Sequence, residues 1–245
     1  MTVSFNITHG AFAADPAFTA LSIETATSHS TVAVCHGGQT LSVTLSGNRP
    51  GAGEVYGAID ALLLAAGIAP ADLQCIAFGC GPGGFTGVRI AAAVTQGLAY
   101  GLQIAVFRCS TLALLAAGVG EAKAGCAVIA AALDARQGEA YIGFYRLING
   151  SVTEMLPDAI CNPASFRLAA VAVAESCNSF YLAGPGWSAY PELLQGSEGL
   201  LKQEDFALLP EAVNLLSLAA RAYSAGTLTD AFGAQPNYLR DKVTD

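Results

Sequence analysis

Residues 74–101 read QCIAFGCGPGGFTGVRIAAAVTQGLAYG, which parses as a strand, a glycine-rich turn and a helix. The apolar run at 76–78 is broken by Gly79, Gly81, Pro82, Gly83 and Gly84, residues that either allow positive φ or fix φ. A helix is expected to start near Phe85. Within it Ala93, Gly97 and Gly101 recur at every fourth position, so one face carries almost no side chain and another backbone can come close. Val88, Ile90, Val94 and Leu98 make the rest apolar nearly all round. Such a helix is either central to its own domain or shared between two chains.

The glycine turn itself has two readings. Backbone N–H groups at a strand-to-helix turn can cradle a phosphate, and Gly79, Gly81 and Gly84 satisfy G-x-G-x-x-G. A dinucleotide site also wants an acid about 20 positions on, yet the next apolar run, IAVFR, ends in Arg108. A P-loop needs lysine after its last glycine, and Phe85 stands there. The other reading is a tight turn that lets strand and helix pack closely.

Outward from this stretch, residues 19–25, 30–36 and 40–45 are β-branched runs joined by short polar turns, a three-stranded meander. A loop at 48–53 leads into helical spacing through Val55, Ile59, Leu62 and Leu63, ended by Gly67. A strand at 104–107 and a helix at 111–117 complete the order βββαβα. From residue 127, VIAAALDARQGEAYIGFY repeats the opening of the chain, with Asp134 in the place of Glu24, which suggests a duplicated unit. A strand at 151–156, a helix at 163–174, a strand at 179–183, the loop GPGW and a helix at 210–223 follow. The expected organisation is an extension at 1–17 and α/β halves at 18–118 and 119–245. Two βββαβα halves make the actin-like architecture of sugar kinases and Hsp70 ATPases.

The chain has 245 residues, 53% hydrophobic and only 12% charged, so part of its surface is expected to lie under a protein partner. Eleven basic residues against 19 acidic ones give a net charge of −8 with no basic run. A chain that grips nucleic acid alone carries a basic stripe, so any RNA would be held mostly by another polypeptide. Seven cysteines without a C-x-x-C pair read as reduced core thiols of a cytoplasmic protein. No basic residue precedes Arg49, unlike the start of a secretory leader. Residues 90–107 run 18 positions without a charge, but Thr95, Gln96 and Gln103 and the break at Gly101 favour a buried helix and strand over a membrane span.

No catalytic constellation is visible. In actin-like folds the first hairpin turn carries an acid that positions hydrated Mg²⁺ beside phosphates. Here that turn reads Glu24, Thr25, Ala26, Thr27, and the longer acid and the Cβ of Ala26 both obstruct close phosphate approach. Glu24, Thr25, Gly81, Gly83 and Gly84 are therefore candidates for a vestigial nucleotide site, with no cofactor expected. His9, His29 and His36 offer no pair at helical spacing, so no metal site is expected. Arg89, the one charge in GFTGVRIAAA, either clamps an anion or packs near the helix start through its stem.

GCGPGGFTGVRIAAAVTQGLAYG closely resembles the TsaB (YeaZ) family signature GxGPGSFTGxRIG followed by KGLAYG. LSIETATSHSTVAV resembles that family's first hairpin, ALDARQGEAYIGFY its second-half opening and PNYLRDKV its C-terminal segment. The resemblance covers about residues 19–243 and is weakest over 149–209. One departure is GAGEVY, where members often carry a His-Ser pair. The resemblance implies a catalytically silent relative of TsaD that binds TsaD through first-half helices and pairs with itself when TsaD is absent. It also implies that the ATPase TsaE joins the complex and that tRNA is engaged through it. The implied interface residues are Arg89, Ile90, Ala93, Val94, Gly97, Leu98 and Gly101, with Ile59 and Leu63 from the preceding helix. A small-molecule kinase or ATPase of the same fold, or a TsaD-like metalloprotein, is the alternative.

Overall fold

The computed structural model describes residues 5–12, 15–47, 50–120, 128–175 and 179–240. The chain forms two compact units. The first comprises the described residues up to Thr111 together with Pro210–Asn237, and the second comprises Leu112–Leu209 and the residues from Tyr238 on.

The first unit is built on a six-stranded sheet of β1 (Ile7–Ala11), β2 (Ala20–Glu24), β3 (Thr31–His36), β4 (Gln39–Thr44), β5 (Cys75–Gly79) and β6 (Ala105–Cys109). The strand order is β1-β4-β3-β2-β5-β6. The first four strands in that order pair antiparallel, and β2, β5 and β6 run parallel. Helices α1 (Ala52–Ala66) and α2 (Phe85–Leu102) cover one face. Leu21 and Ile23 of β2 share a core with Val55, Ile59 and Leu62 of α1 and with Ala91 and Val94 of α2. Ser22, between them in the strand, points the other way, and its hydroxyl donates to the Ala212 carbonyl at 2.7 Å. α1 begins where the Glu54 carboxylate accepts from the Gly51 N–H and ends at Gly67, whose φ of 69° suits glycine.

The second unit carries β7 (Val128–Arg136), β8 (Glu139–Ile148), β9 (Ser151–Cys161), β10 (Phe180–Ala183) and β11 (Leu201–Asp205), in the order β11-β10-β7-β8-β9. α3 (Thr111–Val119) packs Leu112 and Leu115 on one side of this sheet, against Ile129, Leu133 and Tyr181. α4 (Leu168–Ala174) and the single turn α5 (Gly186–Ala189) pack on the other, where the Trp187 indole N–H donates to the Ala130 carbonyl at 3.0 Å.

In both sheets an antiparallel meander is followed by two strands parallel to its first: β4-β3-β2-β5-β6 and β9-β8-β7-β10-β11. This is the actin-like α/β fold built from a duplicated unit; Glu24 ends β2, and Asp134 lies two residues before the end of the equivalent strand β7.

Several details depart from the sequence expectation. Ile7–Ala11, inside the segment read as a loose extension, is an edge strand paired with β4. α6 (Ala212–Ala225) belongs to the first unit, not to the half beginning at 119, because Thr31 and Ser22 hold its start. The helix expected over 163–174 is shortened because Asn162 turns the chain first, its side chain accepting from the Ala164 N–H. α2 runs past Gly101 to Leu102, and the left-handed residue that ends it is Gln103 (φ 56°), whose side chain donates to the Tyr100 carbonyl. β11 is polar and was not anticipated. No helix among the described residues is long and apolar enough to cross a membrane. Cys126 and Cys177 lie outside the described residues; burial pushes Cys35 up to about 11 and Cys75 up to about 12.

Candidate functional site

The β2–β3 turn sits directly on the glycine turn and the first turn of α2. The Gly84 N–H donates to the Ala26 carbonyl at 2.6 Å, and the Thr25 hydroxyl donates to the Gly87 carbonyl at 2.7 Å. A Cβ added to Gly83 would stand 2.4 Å from the Ala26 oxygen, and one added to Gly87 would stand 1.8 Å from the Thr25 oxygen. Gly81 (φ 92°) is flanked by Val88 and the Asn237 carbonyl, and Asn237 donates its N–H to Cys80. Glu24, Thr25, Gly81, Gly83 and Gly84 are thus brought together, but against one another. Where a phosphate would need donors, this turn presents the Thr25 and Ala26 carbonyl oxygens and a carboxylate. The residues present do not fit a nucleotide's phosphate chain there.

Glu24 is fully buried. One carboxylate oxygen accepts from the Ala26 N–H at 2.6 Å, while the other has no hydrogen-bond partner and lies where a Cβ on Gly79 would be. Burial pushes its carboxyl up to about 7, against the smaller opposing pull of the Ala26 N–H. Because the folded state holds this proton more tightly than the unfolded chain, the contribution of Glu24 to stability is fully present only below about pH 4.5. It falls as pH rises from there to about 7, by roughly 3 kcal/mol. Glu24→Gln removes the titration, so urea midpoints of the variant should stay level between about pH 5 and 7.5 while those of the parent decline. Equal slopes for both chains would show that Glu24 titrates normally.

α2 divides its candidate residues between two environments. Arg89, Ala93, Gly97 and Gly101 are exposed and lie along one stripe. The Arg89 guanidinium stacks over the Phe85 ring, 3.4 Å from its centroid, which places the charge at the head of that stripe. Ile90 and Leu98 are half-buried against the unit's core. Val94, Ile59 and Leu63 are in the core itself, at 2%, 3% and 4% exposure, so the expectation that they face a partner is corrected. They occupy the positions of α1 and α2 that seat the helices on the sheet. Beside the stripe are exposed aromatics that spacing did not single out: Tyr56 of α1, whose hydroxyl neighbours Gly97, and Tyr100, packed edge-on against Phe232.

A family model described as "TsaD: tRNA N6-adenosine threonylcarbamoyltransferase" matches residues 52–244. The "tRNA threonylcarbamoyladenosine biosynthesis protein TsaB" of Escherichia coli K12 is 32% identical over 224 residues, covering 91% of this chain and 95% of the relative. The Haemophilus influenzae protein of the same name is 31% identical, covering 92% and 95%. A solved structure titled "YeaZ from Pseudomonas aeruginosa" is 37% identical with a TM-score of 0.78, and its whole chain is covered by 91% of this one. The chain belongs to the TsaB (YeaZ) family.

Two further TsaB-like stretches are ALDARQGEAY and PNYLR, and the end of the second meets the first in the second unit. Arg240 returns to the β7–β8 hairpin, where it pairs with Glu139 and donates to the Gln137 side chain and the Ala135 carbonyl. Asp134, the counterpart of Glu24, accepts from the Tyr190 hydroxyl at 2.7 Å and pairs with Arg136 at 3.1 Å. The duplicated acids have therefore diverged, one buried against backbone and one held in a polar network. Among the described residues no cluster of His, Cys, Asp or Glu is arranged to hold a metal ion. His29 instead lies 3.5 Å from Glu211, and His36 bonds to Thr19.

Proposed function

We propose that this chain is a scaffold subunit for tRNA threonylcarbamoyladenosine biosynthesis, binding a TsaD-type transferase and supporting its transfer of threonylcarbamoyl to the adenosine beside the tRNA anticodon. The observation that carries the reading is the exposed stripe of α2, in which Ala93, Gly97 and Gly101 leave the backbone open to a close-packed helix and Arg89 offers a charge at one end. The names of the relatives supply the pathway. In this reading the same stripe serves a second copy of the chain when TsaD is absent, the TsaE ATPase joins the pair, and the work is cytoplasmic. A net charge of −8 leaves most of the grip on tRNA to the partners. A kinase or ATPase role is disfavoured by the Ala26 carbonyl against Gly83 and Gly84, which takes the place of a phosphate.

The test is co-purification with TsaD from the same organism, followed by a threonylcarbamoyl-transfer assay on each protein alone and on the pair. Transfer that needs both chains is the expected result. Transfer or nucleotide turnover by this chain alone would overturn the scaffold reading.

A further inference from the structure

The two units place equivalent strands, β4 and β9, at the outer edge of their meanders, and they treat that edge differently. β9 carries Glu154, Pro157 and Asp158, and its ladder with β8 is interrupted by register shifts at Ile142/Phe144 and Phe144/Tyr145. Charge, proline and bulges are the usual means by which an edge strand avoids pairing with another chain. β4, QTLSVT, has none of them. Residues 37–48 contain no charge and no proline, and the β4 ladder with β3 runs from Thr31 to His36 without a shift. An uncharged, β-branched, flat edge is a template for a further strand.

In this chain the template is covered by β1, which pairs in continuous register from Ile7↔Val43 to Ala11↔Gln39. The cover is held at both ends. The Phe5 ring packs 3.6 Å from where a Cβ on Gly57 of α1 would stand, on one face of the sheet. At the other end the Phe12 N–H donates to the Gly38 carbonyl, and the Phe12 ring stacks on Phe18, which in turn meets Tyr223 of α6 on the opposite face. The edge that β1 leaves in its turn is five residues long and includes Gly10, a weak template. The Pseudomonas aeruginosa structure is matched in full by 91% of this chain, so the match leaves residues of this chain over.

We propose that the N-terminal segment is a seal, and that the β4 edge beneath it is a self-association surface whose occupant, once the seal is lifted, is the β4 strand of a second copy. Antiparallel pairing of two identical strands closes on itself, so a dimer is the simplest product. The surface is on the opposite side of α1 from the α2 stripe, and the inference does not depend on the proposed scaffold role.

The experiment compares the full chain with a chain beginning at Phe12 after an initiator methionine, by light scattering over a concentration series. The shortened chain should show at least a doubling of mass relative to the full chain at equal concentration. Ser42→Lys in the shortened chain puts a charge on β4 and should return the mass to that of the full chain. No gain in mass on shortening would overturn the proposal, as would a gain that Ser42→Lys leaves intact. Should the shortened chain fail to fold by circular dichroism, the full chain with prolines at both His9 and Gly10 takes its place. That pair breaks the β1 ladder whichever residue donates, and an unchanged mass would again overturn the proposal.

Discussion

Gly87→Ala is expected to destabilise the first unit by about 3 kcal/mol or more, although the substitution on its own favours a helix by about 1 kcal/mol. The added Cβ would stand 1.8 Å from the Thr25 carbonyl oxygen and 2.9 Å from its carbon, backbone atoms that cannot rotate aside. The turn that carries them is fixed from several sides: Thr25 bonds to Gly87, Ala26 accepts from Gly84, and Glu24 holds the Ala26 N–H. The helix must lift from the turn, and these hydrogen bonds, about 1 kcal/mol each, are lost with the packing. Urea denaturation reads the outcome directly. A variant within about 0.5 kcal/mol of the parent would mean that the turn is not seated on α2 in solution.

That clash also explains which parts of the site were legible in the sequence. Strand, turn and helix over residues 74–101 follow from glycine chemistry and apolar runs, and the duplicated meander follows from the recurrence of an acid after an apolar strand. The use of the glycines does not follow. G-x-G-x-x-G is equally the pattern of a phosphate cradle and of a turn pressed against a neighbouring carbonyl, and the two are separated by three-dimensional contacts such as the 2.6 Å bond from Gly84 to Ala26. The faces of α2 were ambiguous for a related reason. A helix apolar nearly all round has no period, so Val94 and Gly97 looked alike although one is core and the other surface. Ile59 and Leu63 were misplaced because apolar spacing marks the inward face of α1 whether or not a partner exists. β1 escaped notice because ITHGA is a poor strand by composition and exists through its ladder to β4.

Gly97→Leu, on the same helix, is expected to give the opposite result: a stable fold and a weakened complex. Gly97 is exposed, and a Cβ there meets only the Tyr56 hydroxyl, at the ordinary contact distance of 3.6 Å. Leucine in place of glycine in a helix interior should raise stability by up to about 1 kcal/mol. A helix packed closely over Ala93, Gly97 and Gly101 has no room for a four-carbon side chain, and overpacking of about 1–3 kcal/mol corresponds to roughly 5- to 150-fold weaker binding to TsaD. The paired measurement is a urea midpoint for the isolated chain and calorimetric titration with TsaD. A midpoint at or above the parent's together with weakened binding would assign the stripe to the partner. Unchanged affinity would remove the stripe from the interface, and the exposed aromatics beside it, Tyr100 and Phe232, would then be the surface on which to look for the partner.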